Sequence, residues 1–394
     1  MGVIRIPYTD PLPAPRIIPA YANTLSGAIN ALSQFLLRDR ATGTDGRSND
    51  GLGNTLLLTG AGISVASGLA DYRGTNGTYT LNKTYRPIYY HEFCHSHQAR
   101  KRYWARSFLG WTNLEKARPN KAHFACGRLG ELGVVKSCIT QNVDSFHPIA
   151  HPELPTLELH GYLRALTCIS CGHSYPRSEF QKELSRLNPA WHEFLMEMLE
   201  SGALTTEDPQ ERRMKGLRTN PDGDVDVPNA DYQTFRYPPC PKCLASPPEK
   251  ALNKEEKGRV QVDKDGAWIL PSNAGMLKPA VIMFGESIPT AVKEAAEVAV
   301  DSADRILVVG SSLATYSAWR LVKRAKERGM PIGILNIGGV RGEEAFFKDL
   351  DDDNSDGEAV RISEYADKVL PEVVKIVEET TGFAEHKKAA SNEG

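Results

Sequence analysis

The stretch LLLTGAGISVASGLADYRG, Leu56 to Gly74, decides the fold. Leu56, Leu57 and Leu58 form a continuous apolar run, the pattern of a parallel strand covered on both faces. The run stops at Gly60-Ala61-Gly62, where two residues without a Cβ permit a tight turn and close approach of backbone to a ligand. Ser64, Ser67 and Gly68 follow, so the turn is expected to open a helix whose free N–H groups and positive dipole end would face a diphosphate. A strand-to-helix turn without a ligand fits a lone Gly-x-Gly equally well. Val65 stands where a hydride-transferring dehydrogenase has its third glycine, so the spacing points away from ordinary NAD redox chemistry. Asp71 and Arg73 place a charged pair just beyond the turn, where a nucleotide's sugar or pyridinium ring could lie.

With 394 residues and 41% apolar content, the chain suits one large domain with inserted modules, or two domains. A net charge of -2 gives no general attraction to DNA or anionic membrane, so no direct nucleic-acid partner is expected. No run approaches the length of a membrane span, and the first residues lack the pattern of a secretion signal. Arg5, Arg16, Arg38 and Arg40 match an acid-poor mitochondrial presequence in part, but Pro7, Pro11, Pro13, Pro15 and Pro19 oppose its amphipathic helix. Compartment therefore stays open, cytoplasmic and nuclear included. Gly2 does not make a myristoylation motif, which wants Ser or Thr where Ile6 stands.

Leu25, Ile29, Leu32, Phe35 and Leu36 recur at helical spacing between about Ala22 and Arg40, and Ala41 to Gly53 reads as a polar loop. Apolar strands are expected at Val134–Thr140, Thr156–Leu159, Ala280–Glu286, from Arg305 and from Ile332. Each ends in Gly, Ser, Asn or another polar residue, and helical stretches such as Ala291–Val300 and Ala318–Arg328 alternate with them. That alternation predicts an α/β fold, a doubly wound parallel (Rossmann-like) sheet, with a helical insertion over about 75–122; the pairs Cys168-x-x-Cys171 and Cys240-x-x-Cys243 add an inserted zinc-binding module. Ligands in such sheets bind beyond the carboxyl ends of the strands, so motifs far apart in sequence can share one crevice. The expected organisation is an N-terminal arm and helix over 1–53 and a Rossmann-like domain over 54–162 and 277–382. A zinc-binding module with long inserted loops fills 163–276, and 383–394 is a disordered tail. The Asp349–Asp356 run reads as a solvated loop. NPDGDVDVPNAD, from Asn220, is a poor calcium loop because its glycine is misplaced and no bidentate Glu follows.

Cys168-x-x-Cys171 and Cys240-x-x-Cys243 can each offer two thiolates, and together they complete one closed, structural four-cysteine zinc site. Disulfides are disfavoured in a chain with no secretion signal. Cys94, Cys126 and Cys138 read as ordinary buried or semi-buried thiols. Gln141, Asn142 and Asp144 follow a strand directly, and alone they are turn chemistry as often as active site. His160, between Leu159 and Gly161, can offer an imidazole that titrates near neutrality to the same crevice; a lone His is more often structural.

GAGISVASGLADYRG resembles the NAD-binding signature of the sirtuins, NAD-dependent protein-lysine deacylases, with Ala70 and Tyr72 where the family usually has Pro and Phe. TQNVD and ELHG resemble the family's catalytic strings, LKPAVIMFGE its acyl-peptide-binding strand and loop, and VVGSSL and LNIG its adenosine-ribose contacts. RYWARSFLGW, NPDGDV and GSSLATYS are similar to the class II branch, whose animal member is mitochondrial. The resemblance implies NAD consumed as co-substrate, one structural zinc per chain, and acyl-lysine-bearing proteins or peptides as partners. It implies His160, Asn142 and Asp144 as catalytic residues, His160 acting as general base. It implies a cofactor site of Gly60, Ala61, Gly62, Ser64, Asp71, Tyr72, Arg73, Gln141, Asn142, Asp144, His160, Gly310, Ser311, Ser312, Asn336, Ile337 and Ala366. Substrate would meet Val281, Ile282, Phe284, Gly285 and Glu286. Tyr103 and Arg106, three apart on an expected helix, share one face and are similar to the Tyr-x-x-Arg pair with which some sirtuins recognise acidic acyl chains. The expected reaction is deacylation onto ADP-ribose with nicotinamide release, favouring glutaryl-type chains. The alternatives are mono-ADP-ribosyl transfer, lipoyl-lysine removal, or a weakly active NAD-binding regulator. Oligomeric state is not legible in these residues.

Overall fold

The three leucines of the opening stretch serve two faces at once. Leu57 packs with helices Leu25–Leu37, Lys121–Glu131 and Ala366–Thr380, whereas Leu56 and Leu58 face helices Thr290–Asp301 and Tyr316–Glu327. Side chains alternate along a strand, so only a run with no polar break can feed both layers. The computed structural model describes residues 8, 10–38, 53–74, 77–81, 85–202, 218–219, 224–227, 230–252, 255–348, 350 and 358–382.

Within these, strands β1 (Thr55–Thr59), β2 (Val135–Thr140), β3 (Thr156–Glu158), β9 (Arg305–Val309), β10 (Ile332–Leu335) and β11 (Ala359–Ile362) form one parallel sheet. Its order is β11-β10-β9-β1-β2-β3. The chain order reverses at β1, where Leu57 pairs with Cys138 on one side and Leu307 on the other. A crevice beyond the carboxyl ends of β1, β2 and β9 is the place where such sheets take ligands.

Strands β4 (Gly161–Cys168), β5 (Ser174–Pro176) and β8 (Leu277–Val281) make a separate antiparallel sheet, and β6 (Arg218–Thr219) pairs with β7 (Val225–Asp226). The apolar segment at Ala280 therefore does not join the parallel sheet, as its sequence suggests; it pairs antiparallel with β4. Around this smaller sheet a second core gathers Trp104, Phe108, Phe180, Phe235, Tyr237 and Trp268, with helices His97–Lys116, Arg177–Leu187 and Pro189–Glu200.

The turn after β1 opens a helix as expected, one of the 3₁₀ type, Ala61–Ser67, closed by Gly68 at φ +81°. β4 and β11 were not foreseen. β11 is only four residues long and carries Arg361, whose fully buried guanidinium pairs with Glu343 at 2.7 Å and binds the carbonyls of Asn336 and Gly338. A charge in a short strand hides its apolar pattern. The proposed disordered tail, the loop at 41–52 and the acidic run apart from Leu350 lie outside the described residues. Cys94, Cys126 and Cys138 are buried free thiols, as expected.

Candidate active site

Two glycine turns meet back to back at the carboxyl ends of β1 and β9. The Gly62 N–H donates to the Gly310 carbonyl at 2.8 Å, and Gly310 has φ +61°. A Cβ on Gly62 would lie 2.9 Å from the Gly310 Cα, and one on Gly310 would lie 2.3 Å from the Ile63 nitrogen. Neither position can take a side chain, so the backbone itself forms the floor of the crevice.

Polar groups from β2 are then locked onto this floor. Gln141 Nε2 donates to Ser311 Oγ at 2.7 Å and its Oε1 accepts from Thr315 at 3.1 Å. Asn142 Nδ2 donates to the Gly60 carbonyl at 3.2 Å and to Ser64 Oγ at 3.1 Å, and Ser64 Oγ donates to Asp144 Oδ2 at 2.7 Å. Asp144 Oδ1 accepts from the Phe146 N–H at 2.9 Å. Burial pushes the Asp144 carboxyl above its usual range, against these hydrogen bonds, which favour the charged form. Each side chain is thus oriented by neighbours and has little freedom to lose on binding.

His160 sits in the turn from β3 to β4. Its Nδ1–H donates to the Gln141 carbonyl at 3.0 Å, which leaves the Nε2 lone pair to accept from Ser317 Oγ at 2.8 Å. Gly161 follows at φ +74°, and a Cβ there would lie 2.1 Å from the Ala280 carbonyl oxygen. That close passage lets the His160 carbonyl accept from the Ile282 N–H at 2.8 Å, tying the imidazole to the β8 loop. Burial holds the imidazole below its ordinary pKa, with the Gln141 bond opposing.

One cavity of about 710 Å³ brings these groups together. Gly60, Ala61, Gly62, Ser64, Asp71, Tyr72, Arg73, Gln141, Asn142, Asp144, His160, Gly310, Ser311, Ser312, Asn336 and Ile337 all line it, as do Tyr103, Arg106, Val281, Ile282, Phe284, Gly285 and Glu286. Ala366 does not: it starts helix Ala366–Thr380 and is buried in the core under the sheet. Glu286 accepts from Lys278 Nζ at 3.1 Å and the Met283 N–H at 2.9 Å, so its carboxylate braces its own loop. Asp71 and Arg73 also act separately. Asp71 accepts from the Gly74 N–H, while Arg73 donates to the Tyr8 carbonyl at 3.0 Å and lies over the Tyr79 ring.

Arg106 brings the largest departure from expectation. It lies on helix His97–Lys116, one turn beyond Tyr103, as the spacing suggests. Its side chain is only 2% exposed and already pairs with Asp224 at 2.7 Å and lies 3.7 Å from Asp226. Asp224 also lines the cavity. These aspartates belong to the NPDGDVDVPNAD stretch, which reads as a poor calcium loop and gives no sign of an arginine partner. The residue pattern also passed over Tyr8, Leu12, Ser317 and Arg341, which line the cavity too. Ser317 lay within the noted GSSLATYS string; nothing in the sequence marked Tyr8.

The four cysteines converge as their spacing requires. Their sulfurs lie within 4.8 Å of one another, with Cys168 3.6 Å from Cys243 and Cys171 3.8 Å from Cys240. A tetrahedral zinc with bonds of about 2.3 Å has sulfur–sulfur edges of about 3.8 Å, so the donor set and the spacing fit that ion. Burial raises the Cys168 thiol, against the main-chain N–H groups of Ser170 and Cys171 that point at it, whereas at Cys171 burial is outweighed by the His173 N–H and the neighbouring thiols.

Comparison with known proteins gives the family and the fold. A family model described as Sir2 family matches residues 60–317. An NAD-dependent protein deacylase, SIR4, of Batrachochytrium dendrobatidis is 42% identical over 325 residues, covering 82% of this chain and 89% of the relative. The mitochondrial NAD-dependent protein lipoamidase sirtuin-4 of Bos taurus is 33% identical over 296 residues, 75% of this chain and 78% of the relative. A solved Sir2 homologue mutant in complex with ADP-ribose shares the fold at a TM-score of 0.53 and 23% identity, covering 89% of this chain and 97% of that one.

Proposed function

The chain belongs to the Sir2 family and is an NAD-dependent protein deacylase, and from this premise we propose how its residues divide the work and which acyl chains it removes. When bound, NAD supplies an electrophilic ribose carbon and a nicotinamide leaving group. Asp144, aimed by Ser64 and Phe146, holds the carboxamide, and Asn142 and Gln141 hold the ribose. His160 takes a proton from a ribose hydroxyl at Nε2, the nitrogen left basic by the Nδ1 bond to Gln141. Tyr72 and Arg73, with Asp71 bracing the loop, keep water out of the crevice.

The acyl chain lies toward Tyr103 and Arg106 and is preferentially acidic, of the glutaryl type. The observation that supports this is that both residues line the cavity that holds His160. The Arg106–Asp224 pair modifies the expectation. A substrate carboxylate has to displace or share Asp224, so the advantage over acetyl is smaller than a free guanidinium would give. The same pair supports a second reading, since a compensated arginine suits long uncharged chains, and the bovine relative is named a lipoamidase.

Nicotinamide release with acetyl-, glutaryl-, methylglutaryl- and lipoyl-lysine peptides separates these readings. Arg106→Met is expected to lower glutaryl activity about tenfold relative to acetyl, since each 1.4 kcal/mol is a factor of ten. Asp224→Asn, which keeps a hydrogen-bonding group but removes the competing charge, is expected to raise it. Equal effects on both peptides would show that Arg106 does not read the acyl carboxylate. Lipoyl turnover indifferent to both substitutions, and above glutaryl, would favour the second reading. Release that needs no acyl peptide but an acceptor protein would mark a transferase, and none at all a regulator.

A further inference from the structure

Arg341 is set into the wall of the cofactor cavity by two aromatic rings. Its guanidinium carbon lies 4.7 Å from the Tyr8 ring centre and 4.8 Å from that of Trp319. The backbone holds it to the adenosine side, because the Arg341 N–H donates to the Ser312 carbonyl at 2.9 Å and its Nη1 donates to the Ala314 carbonyl at 3.3 Å. The neighbouring Gly342, at φ +79°, makes room for the clamp: a Cβ there would lie 2.6 Å from Trp319 Nε1.

Tyr8 reaches this place because the segment after it is fastened along the sheet. The Arg16 N–H donates to Glu343 at 2.9 Å and its guanidinium to the Phe347 carbonyl at 2.7 Å, and Ile18 bridges to Arg361 on β11. Pro13 runs so close to the turn after β10 that a Cβ on Gly339 would meet its carbonyl at 1.8 Å. From there the chain passes Leu12 and Tyr8, both in the cavity lining, and the Tyr8 carbonyl takes the Arg73 guanidinium. One short segment thus touches the cofactor loop and the adenosine end together.

We propose that Arg341, clamped between Tyr8 and Trp319, is a further cofactor-binding residue for the adenosine diphosphate half of NAD, and that the N-terminal segment is thereby part of the cofactor site. A guanidinium stacked on aromatic faces keeps its edge N–H groups in a fixed plane, suited to the phosphate and ribose oxygens of a dinucleotide. The proposal rests on NAD as cofactor and is independent of acyl preference.

ADP-ribose, which carries no acyl group and no nicotinamide, tests it by calorimetry on the full chain. Arg341→Gln is expected to weaken binding about tenfold, the size of one charge-assisted hydrogen bond. Tyr8→Ala is expected to weaken it several-fold, and Tyr8→Phe, which keeps the ring, to restore native affinity. The Arg16 and Ile18 anchors lie outside both Tyr8 substitutions, so the melting temperature of those variants should stay native. Native affinity in Arg341→Gln overturns the residue's assignment, and native affinity in Tyr8→Ala overturns that of the segment. If Arg341→Gln does not fold, the decision falls on Tyr8→Ala against Tyr8→Phe.

Discussion

Replacing His160 by alanine is expected to lower deacylation by about 100- to 10,000-fold while ADP-ribose still binds, because loss of a general base typically costs that much and leaves the floor of the site intact. The geometry makes the assignment directional. Nδ1 is committed to the Gln141 carbonyl, so only Nε2 is basic, and Ser317 Oγ at 2.8 Å marks the spot from which a hydroxyl can donate to it. The pH dependence follows from the direction of the shift. Burial lowers the pKa from the ordinary 6.5, the base works when neutral, and activity should therefore persist below pH 6.5 before it falls. A pH profile of kcat/KM for NAD whose acid limb lies above 6.5 would contradict that environment. Wild-type turnover in His160→Ala would remove His160 from the mechanism altogether.

Much of this site was legible because its chemistry constrains residue type. Gly60 and Gly62 had to lack side chains, and the crossing at Gly310 explains why in distances of 2.9 Å or less. Two Cys-x-x-Cys pairs had to meet, whatever lies between them. Pairing direction was not legible: Leu277–Val281 is apolar enough for either sheet, and only its partner β4 decides that it runs antiparallel. Arg361 concealed β11 by putting a charge where alternation predicts an apolar residue, and its cost is met by Glu343 and three carbonyls contributed by the fold. Arg106 teaches the same lesson at the site. Helical spacing placed it beside Tyr103, but how far its charge is already neutralised in the cavity depends on Asp224, which arrives from a distant inserted segment. Local periodicity fixes which face a residue occupies; it is silent about what another segment brings to that face.

Removing the zinc is expected to unfold the smaller module and abolish deacylation, although the metal takes no part in the reaction. Four thiolates close the coordination shell, so no position is left for water or substrate. The effect must instead travel through packing. Cys168, Cys240 and Cys243 are buried in the same core as Trp104, Phe180 and Trp268, and that core also holds helix His97–Lys116. Tyr103 and Arg106 stand on this helix, and β4, which begins beside His160, ends at Cys168. Metal binding in such sites is coupled to folding, with apparent free energies of about 10 to 16 kcal/mol in zinc-finger peptides at pH 7, well above what one buried side chain contributes. Metal analysis should therefore find one zinc per chain, and Cys240→Ala should lower the melting temperature and lose the metal and the activity together. The cores on the two faces of the parallel sheet contain none of the four cysteines, so secondary structure should be lost in part, with the module melting first. A variant that is metal-free, melts like the native protein and still turns over would show that the four thiols hold the module together without an ion.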